Sequence, residues 1–388
     1  MKKKINSENI HRILIIQTAF LGDVELTLYL AEAIKQNFPN IEIYFLSTPT
    51  AAPIARLSCS ISQVIEFDKR NKNKGMMGIK KLSMQINSMN IDCVIAPHGS
   101  LRTSLLAHRI NAPIKIGFNQ NSLSSLVYNY RVEYHQSIHE IDRLFSLLEV
   151  FDIDTSQIKK ENIFPNLHFS EADINGLNTI LIENNIFLRE NILKIQNEEK
   201  QLKNPADLLS NSPSLRTSNI IAIAPGSVWK TKRWSPENFA NLIAILQENN
   251  YQPVLIGGKE DLEICNEIQK STNCKSLVGK TTLGQVILFL KYSMLTITND
   301  SAPTHFSDIV GTPVATIFGP TSPIFGFAPF RKNDIIIENE ELECHPCEIH
   351  GSDRCPLNTH QCMKSISPEN VYERISALLE KNDIENNF

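Results

Sequence analysis

Apolar positions in this chain come as short continuous runs separated by stretches with helical spacing. Arg12 to Gln17 (RILIIQ) is such a run and predicts a central parallel strand, because a strand covered on both faces has no polar side with which to alternate. Asp23 then opens a helix whose Leu26, Leu30, Ala33 and Ile34 fall on one face. Further strands are predicted at 41–46, 64–67, 91–96 and 115–118, and helices at 79–89, 101–110 and 139–150. Regular alternation of this kind gives a parallel sheet with helices on both faces.

The pattern weakens after that. Residues 171–191 predict one helix, and the polar, Ser/Asn-rich stretch 196–218, broken by Pro205 and Pro213, predicts a surface insertion or linker. Alternation resumes at Asn219 with a strand at 220–224, a Pro225-Gly226-Ser227 turn and a helix at 236–249 capped by Ser235. Strands at 253–256, 294–298 and 314–318 complete a second α/β unit, and a last helix covers 368–381. The division is thus an N-terminal Rossmann-like domain (1–170), a linker helix with polar insertion (171–218), a C-terminal Rossmann-like domain (219–366) and a terminal helix (367–388). Two doubly wound domains of this type hold ligands in a cleft at the carboxyl ends of their strands.

Composition narrows the classes. At 388 residues, 42% hydrophobic and 21% charged, the chain reads as a two-domain globular protein without an apolar run that spans a bilayer. The N-terminal MKKKINSENIHRILIIQ ends without a small-residue cleavage site, so it reads as the first strand of a cytoplasmic protein. A net charge of -4 argues against nucleic acid as a partner. Locally, however, Lys69, Arg70, Lys72, Lys74, Lys80 and Lys81 follow one another with no acid between them. That run is either a solvated face or a landing site for an anionic substrate or membrane surface.

Candidate chemistry sits where strands meet helices. Gly22-Asp23 reads as a turn open to a ligand, with Asp23 either a helix cap or a base that accepts a proton from a hydroxyl. The loop APGSVWKTKRW, 224–234, is either a solvated basic loop or one that offers the Ser227 hydroxyl and the Lys232 charge to a diphosphate. In LTITNDSAPTHFSDIVGTPVATIFGPTSP, 295–323, Ser301 reads as a helix cap. Asp300 and His305 are either a structural turn with a core histidine or ligand groups; as the latter, Asp300 would repel phosphate and so serves sugar hydroxyls or holds Lys232, while His305 can donate to an anion. Glu260 or Asp261, past Gly257-Gly258, reads as a ribose-holding acid, and Lys280-Thr281 can line an adenine or phosphate pocket. Of eight cysteines, Cys59, Cys93, Cys265 and Cys274 read as core thiols. Cys344, Cys347, Cys355 and Cys362 are spaced either for one structural zinc or as packed free thiols.

These motifs, in their order along nearly the whole chain, resemble glycosyltransferase family 9, the bacterial heptosyltransferases of lipopolysaccharide core synthesis, and most closely the heptosyltransferase II branch. The stretches that carry the likeness are LGDVELTLYLAEAIK, HGSLRTSLLAHRINAPIKIGF, APGSVWKTKRWSPENFANL, ITNDSAPTHFSDIVGTPVATIFGPTSP and CHPCEIHGSDRCPLNTHQCMKSISPENV. The resemblance implies a GT-B fold, two Rossmann-like doubly wound α/β domains with a cleft between them, the donor in the C-terminal one and the acceptor in the N-terminal one. It implies inverting transfer of L-glycero-D-manno-heptose from ADP-heptose onto the heptose/Kdo inner core of lipopolysaccharide, with no cofactor and no metal. The acceptor, built on Kdo-lipid A, would place the enzyme in the cytoplasm or peripherally on the cytoplasmic face of the inner membrane.

Carried over residue by residue, Asp23 corresponds to the catalytic base and Lys232 to the diphosphate-binding lysine, with Ser227 in the same loop. Asp300, Ser301 and His305 fall on the donor signature, Asp261 on a ribose-contacting acid, and Arg102 on a basic residue facing the acceptor. Ala302 departs from the pattern: the family usually has glycine after the Asp-Ser or Asp-Thr pair. Two other enzymes share this architecture, a glycosyltransferase with another nucleotide sugar and a nucleotide-sugar epimerase. A non-catalytic nucleotide-sugar binding protein is the reading from a different class.

Overall fold

The computed structural model describes residue 5 and residues 7–151, 153–186 and 219–386. The polar stretch 196–218 and residues 187–191 of the predicted linker helix lie outside the described residues. The chain divides into two units, Met1–His168 and Phe169–Phe388.

Unit 1 is a six-stranded parallel sheet with strands β1 (Arg12–Ile16), β2 (Glu42–Ser47), β3 (Gln63–Glu66), β4 (Cys93–Ala96), β5 (Ile114–Phe118) and β6 (Tyr130–Val132) in the order β3-β2-β1-β4-β5-β6. Unit 2 repeats the scheme with β7 (Ile220–Ala224), β8 (Gln252–Leu255), β9 (Lys275–Ser276), β10 (Leu295–Asn299), β11 (Val314–Ile317) and β12 (Ile335–Ile337) in the order β12-β11-β10-β7-β8-β9. Counted from each unit's own first strand, both sheets run 3-2-1-4-5-6, the order of doubly wound nucleotide-binding folds. The predicted fold class, two doubly wound α/β units, is therefore observed.

The registers explain why the apolar runs are continuous. Ile13, Leu14, Ile15 and Ile16 of β1 pair with Ile43 to Leu46 on one side, and Ile13 to Ile15 pair with Cys93 to Ile95 on the other; all of these β1 side chains are buried. β7 is likewise flanked by β8 and β10, and every one of its residues is buried. A strand in this position can only be apolar or small. Helices cover the sheets through amphipathic faces, as in Pro236–Glu248, where Phe239, Leu242, Ile243 and Leu246 enter a core shared with Ile221, Ile223, Leu255, Val371 and Ile375. Ser235 caps that helix by accepting the Asn238 amide (3.1 Å).

Several boundaries differ from expectation for identifiable reasons. The first helix starts at Leu21, so Asp23 lies in its first turn and does not open it. The helix expected at 79–89 runs Gly75–Asn87, since Gly78 packs against the Asn73 backbone so closely that a Cβ there would lie 2.1 Å from a carbonyl carbon. The linker helix ends at Glu183, where Asn185 turns left-handed (φ 52°). Strands β6, β9 and β12 lie at sheet edges, where two or three residues suffice.

Candidate functional site

In each unit the strand order reverses between two neighbouring strands, β1/β4 in unit 1 and β7/β10 in unit 2. Beyond the carboxyl ends of such a pair the loops diverge to opposite faces and leave a crevice. The predicted catalytic and diphosphate-binding residues lie after these strands.

In unit 2 one buried side chain fastens the loop after β7. Asn299, the last residue of β10, donates from Nδ2 to the Pro225 carbonyl (2.8 Å) and accepts the Trp234 amide at Oδ1 (3.0 Å). Trp234 is fully buried with its indole N–H on the Ile366 carbonyl (3.0 Å), and Arg233 Nε holds the Ser227 carbonyl (2.8 Å). Within this frame Lys230–Lys232 forms a single 3-10 turn. It delivers Lys232 Nζ to 2.5 Å from Asp300 Oδ2, with both side chains only 12% exposed. The Thr321 hydroxyl also donates to Asp300 Oδ2 (2.6 Å). An ammonium has three donors, so one on Asp300 leaves others for a ligand anion while the carboxylate fixes where they point.

A second clamp comes from the cysteine-bearing segment. Thr231 exchanges hydrogen bonds with Ser352: its amide and hydroxyl donate to the Ser352 carbonyl (3.0 and 2.8 Å), and its hydroxyl accepts the Ser352 amide (2.9 Å). His360 Nε2 lies 2.6 Å from the Thr231 carbonyl. Gly351, at φ +88°, lies against the Lys232 stem so tightly that a Cβ would stand 2.8 Å from Lys232 Cγ. Burial, then Cys344 and Cys355, push the Cys347 thiol up. Among the described residues no group of three or more His, Cys, Asp or Glu is arranged to hold a metal ion. Of the expected core thiols, Cys93, Cys265 and Cys274 are buried; Cys59 is exposed, because it lies in a turn beside the sheet.

Ser301 occupies the helix N-cap position but does not cap. Its hydroxyl donates to the Gly226 carbonyl (3.3 Å), because the loop after β7 passes within reach, so the first-turn amides of Ala302–Val310 receive no side-chain cap. Such amides, with the helix dipole, favour an anion. Asp261 accepts the Gly258 amide (2.9 Å) and fills the space beside Gly226 and Gly257, where a Cβ would come within 2.1 and 2.7 Å of its carboxylate. Burial raises its pKa, with Glu260 adding and the Gly258 amide and Arg233 opposing. Ser227 is buried beside this cradle.

His305 is buried and stands 3.9 Å from Asp308, whose pKa burial pushes up to about 7. Lys280 donates to the Ser276 carbonyl (2.9 Å) and to Asn184 Oδ1, which draws its ammonium to the linker helix end. Thr281 is half-buried beside it, and the Gly279 amide binds the Gly257 carbonyl (3.0 Å), so this turn adjoins the Asp261 cradle.

In unit 1 the loop after β1 is held by Gln17, which accepts the Ala19 amide (3.2 Å) and donates to Thr27 (3.2 Å). Gly22 and Asp23 are the second and third residues of the Leu21–Asn37 helix, and Asp23 accepts the amide of the N-cap residue Phe20 (3.1 Å). That bond orients the half-buried carboxylate. Across the switch point, Thr18 lies 3.3 Å from His98 Nδ1 and 3.2 Å from Thr103 Oγ1. Lys69 Nζ donates to the Thr18 carbonyl (3.1 Å); its pKa is lowered by burial and then by Arg102 and Arg70. The cations are thus gathered at one place, with Arg102 exposed in the first turn of Leu101–Arg109.

Beside Asp23 lies a network with no sequence signature beyond Glu140-x2-Arg143. Arg143, 1% exposed, binds Glu140 (2.6 Å) and stacks on Tyr134 at 4.8 Å, while Tyr134 donates to the same carboxylate (3.1 Å). Burial pushes Glu140 up to about 7, with Arg143 opposing and Asp23 adding. Asn299, Thr321, Ser352 and His360 also escaped sequence reasoning; Asn299 reads as a turn residue until its strand is seen to end beside another loop.

Comparison with known proteins adds three findings. The description of glycosyltransferase family 9 (heptosyltransferase) matches residues 79–354. Lipooligosaccharide heptosyltransferase 2 of Campylobacter jejuni is 31% identical over 201 residues, 50% of this chain and 62% of that protein, so the chain spans less than two thirds of that relative. Lipopolysaccharide heptosyltransferase 2 of Escherichia coli K12 is 22% identical over 380 residues, 95% of this chain and 98% of that protein. The solved E. coli ADP-heptose lipopolysaccharide heptosyltransferase II superposes with a TM-score of 0.71 at 20% identity, over 96% of this chain and 99% of that one, which shows a shared fold.

Proposed function

The chain belongs to glycosyltransferase family 9, the heptosyltransferases, and from that premise we propose that it transfers L-glycero-D-manno-heptose from ADP-heptose to the heptose/Kdo inner core of lipopolysaccharide, as an inverting enzyme of heptosyltransferase II type. The observation that carries this reading is the Lys232–Asp300–Thr321 cluster at the switch point of unit 2. It presents a positioned cation beside an uncapped helix start, which is what a departing diphosphate requires.

Unit 2 (219–366 of the sequence division) binds the donor. Lys232 and the first-turn amides after Ser301 take the diphosphate, Ser227 adds a hydroxyl, and Asp261 takes the ribose. Lys280, Thr281 and His305 border the nucleotide. Asp300 meets the ligand through Lys232 and sugar hydroxyls, since direct contact with phosphate is repulsive. Unit 1 binds the acceptor, with Lys69 and Arg102 attracting its anionic groups. Asp23 takes the proton as the acceptor hydroxyl attacks the anomeric carbon; the bond to ADP breaks on the opposite face, which inverts the centre. Electrostatic stabilisation of the leaving group by lysine and helix dipole supplies the acid side of the reaction. The lipid-borne acceptor sets the place of work at the cytoplasmic face of the inner membrane.

Mass spectrometry of a Kdo-lipid A acceptor carrying the first core heptose, incubated with ADP-heptose, tests this. The expected product gains one heptose. A donor panel in which another nucleotide sugar is transferred faster, or ADP-heptose consumption without product, would overturn the reading.

A further inference from the structure

The Gly75–Asn87 helix has a solvent face of unusual chemistry. Gly78, Ile79, Leu82, Ser83 and Ile86 turn inward, with Ile79, Leu82 and Ile86 packed beside Leu46, Ile65 and Phe67. The opposite face presents Met76, Met77 and Met84, which are 52%, 81% and 64% exposed, together with Lys80 and Lys81. Met77, Lys80, Lys81 and Met84 follow three- and four-residue spacing and so form one stripe. A helix face in water ordinarily mixes charges of both signs. Here the sequence holds no acid between Asp68 and Asp92, and Lys72 and Lys74 precede the helix.

The stripe therefore combines exposed, flexible apolar side chains with positive charge. Water rewards the second and not the first. An anionic lipid surface rewards both: methionine enters the acyl boundary, while lysine lays its stem along it and keeps the ammonium among phosphates. The helix is 13 residues long, and no helix among the described residues is long and apolar enough to cross a membrane, so the contact is one of lying on the surface. A nucleic-acid strand would want aromatic platforms, and this helix has none. Position agrees as well. In a parallel sheet each helix begins at the carboxyl edge of the strand before it, which puts Met76 and Met77 at the edge that carries Asp23. Phe20, 67% exposed, and Leu101, 58% exposed, add apolar surface at that edge.

We propose that this face docks unit 1 on an anionic lipid bilayer, with Met77 and Met84 inserting and Lys80 and Lys81 meeting lipid phosphates. The choice of a membrane over another polyanion rests on the reading that the acceptor is lipid-borne.

Sedimentation with phosphatidylglycerol-containing vesicles, and with pure phosphatidylcholine vesicles as control, tests the face in the full chain. Wild type sediments with the first and not the second. Lys80→Gln/Lys81→Gln weakens partition roughly thirtyfold, from about a fivefold contribution per lysine at an anionic surface. Met77→Ser/Met84→Ser weakens it too and makes the remainder fully salt-sensitive. Unchanged melting temperatures confirm that both variants fold. Failure of the wild type to sediment, or variants that sediment like it, overturns the proposal. So does equal binding to a soluble polyphosphate or an acidic protein with no effect of the methionine changes.

Transfer assays with vesicle-embedded and with deacylated, water-soluble acceptor separate this proposal from the reading beneath it. The lysine variant should slow on the embedded acceptor alone. No transfer to either acceptor by wild type would sink the proposed activity, while sedimentation still decides the docking face.

Discussion

Unit 1 and unit 2 wind six parallel strands in the same order, yet the two switch points are built differently. In unit 2 the loops are tied to each other by buried polar side chains: Asn299 holds both ends of the loop after β7, and Asp300, Thr321 and the Ser352–Thr231 pair fix the turn that carries Lys232. In unit 1 the carboxylate of Asp23 accepts the amide of Phe20 just before its helix, and nearby cations are gathered with a buried acid network behind. The first arrangement is a preformed cradle for charge. The second, on the proposed reading, holds a base beside a surface that attracts an anion. Topology chooses the place, and the loops choose the chemistry.

The contrast breaks down first if the roles are wrong. Asp23→Asn keeps an acceptor for the Phe20 amide and removes the proposed base, so turnover should fall by roughly 10²–10⁴, the usual worth of general base catalysis, measured as product formed at saturating donor. Next in size, Lys232→Ala should lower kcat/KM by about 10²–10³, as loss of one charge-stabilising donor does, with most of the loss visible at low donor concentration.

The clamp on Lys232 sharpens the comparison further. His360→Asn removes the ring that meets the Thr231 carbonyl yet keeps a residue at ease in the left-handed backbone found there (φ 51°). Donor KM should rise about two- to tenfold, the net value of one hydrogen bond, with kcat little changed and acceptor KM unmoved.

The smallest effect concerns unit 1 and pH. The Glu140 pKa rises from 4.5 to about 7 on folding, chiefly through burial. A raised folded-state pKa gives stability that is present below about 4.5 and lost as pH climbs through about 7. Unit 1 should accordingly lose roughly 1–3 kcal/mol between pH 5 and pH 8. Glu140→Gln should flatten that slope and hold stability near the wild-type pH 5 value, because glutamine stands in for the neutral carboxyl and does not titrate. Denaturant titrations at several pH values give both quantities.

The same contrast shows what the sequence made legible. Central strands such as Arg12–Ile16 and Ile220–Ala224 were plain because burial on two sides permits only apolar residues. Edge strands such as Lys275–Ser276 carry no such constraint and were not seen. Lys232 stood out because a cation-rich loop follows a strand; Asn299 and His360 did not, since their value lies in distant loops that folding brings close. Glu140 was hidden for the same reason: its burial comes from tertiary packing, and an acid followed by an arginine three residues on looks like any exposed helical pair. Ser301 misled, because a cap-forming residue at a cap position had its hydroxyl claimed by Gly226.

The central claim is a division of labour, donor held by unit 2 and proton taken by unit 1, and calorimetric titration of ADP-heptose into Asp23→Asn and Lys232→Ala tests it most directly. The account predicts that Asp23→Asn binds donor within about twofold of wild type, while Lys232→Ala binds at least tenfold more weakly, as loss of a charged hydrogen-bond partner implies. Donor affinity lost equally in both variants, or unaffected in Lys232→Ala, would contradict it.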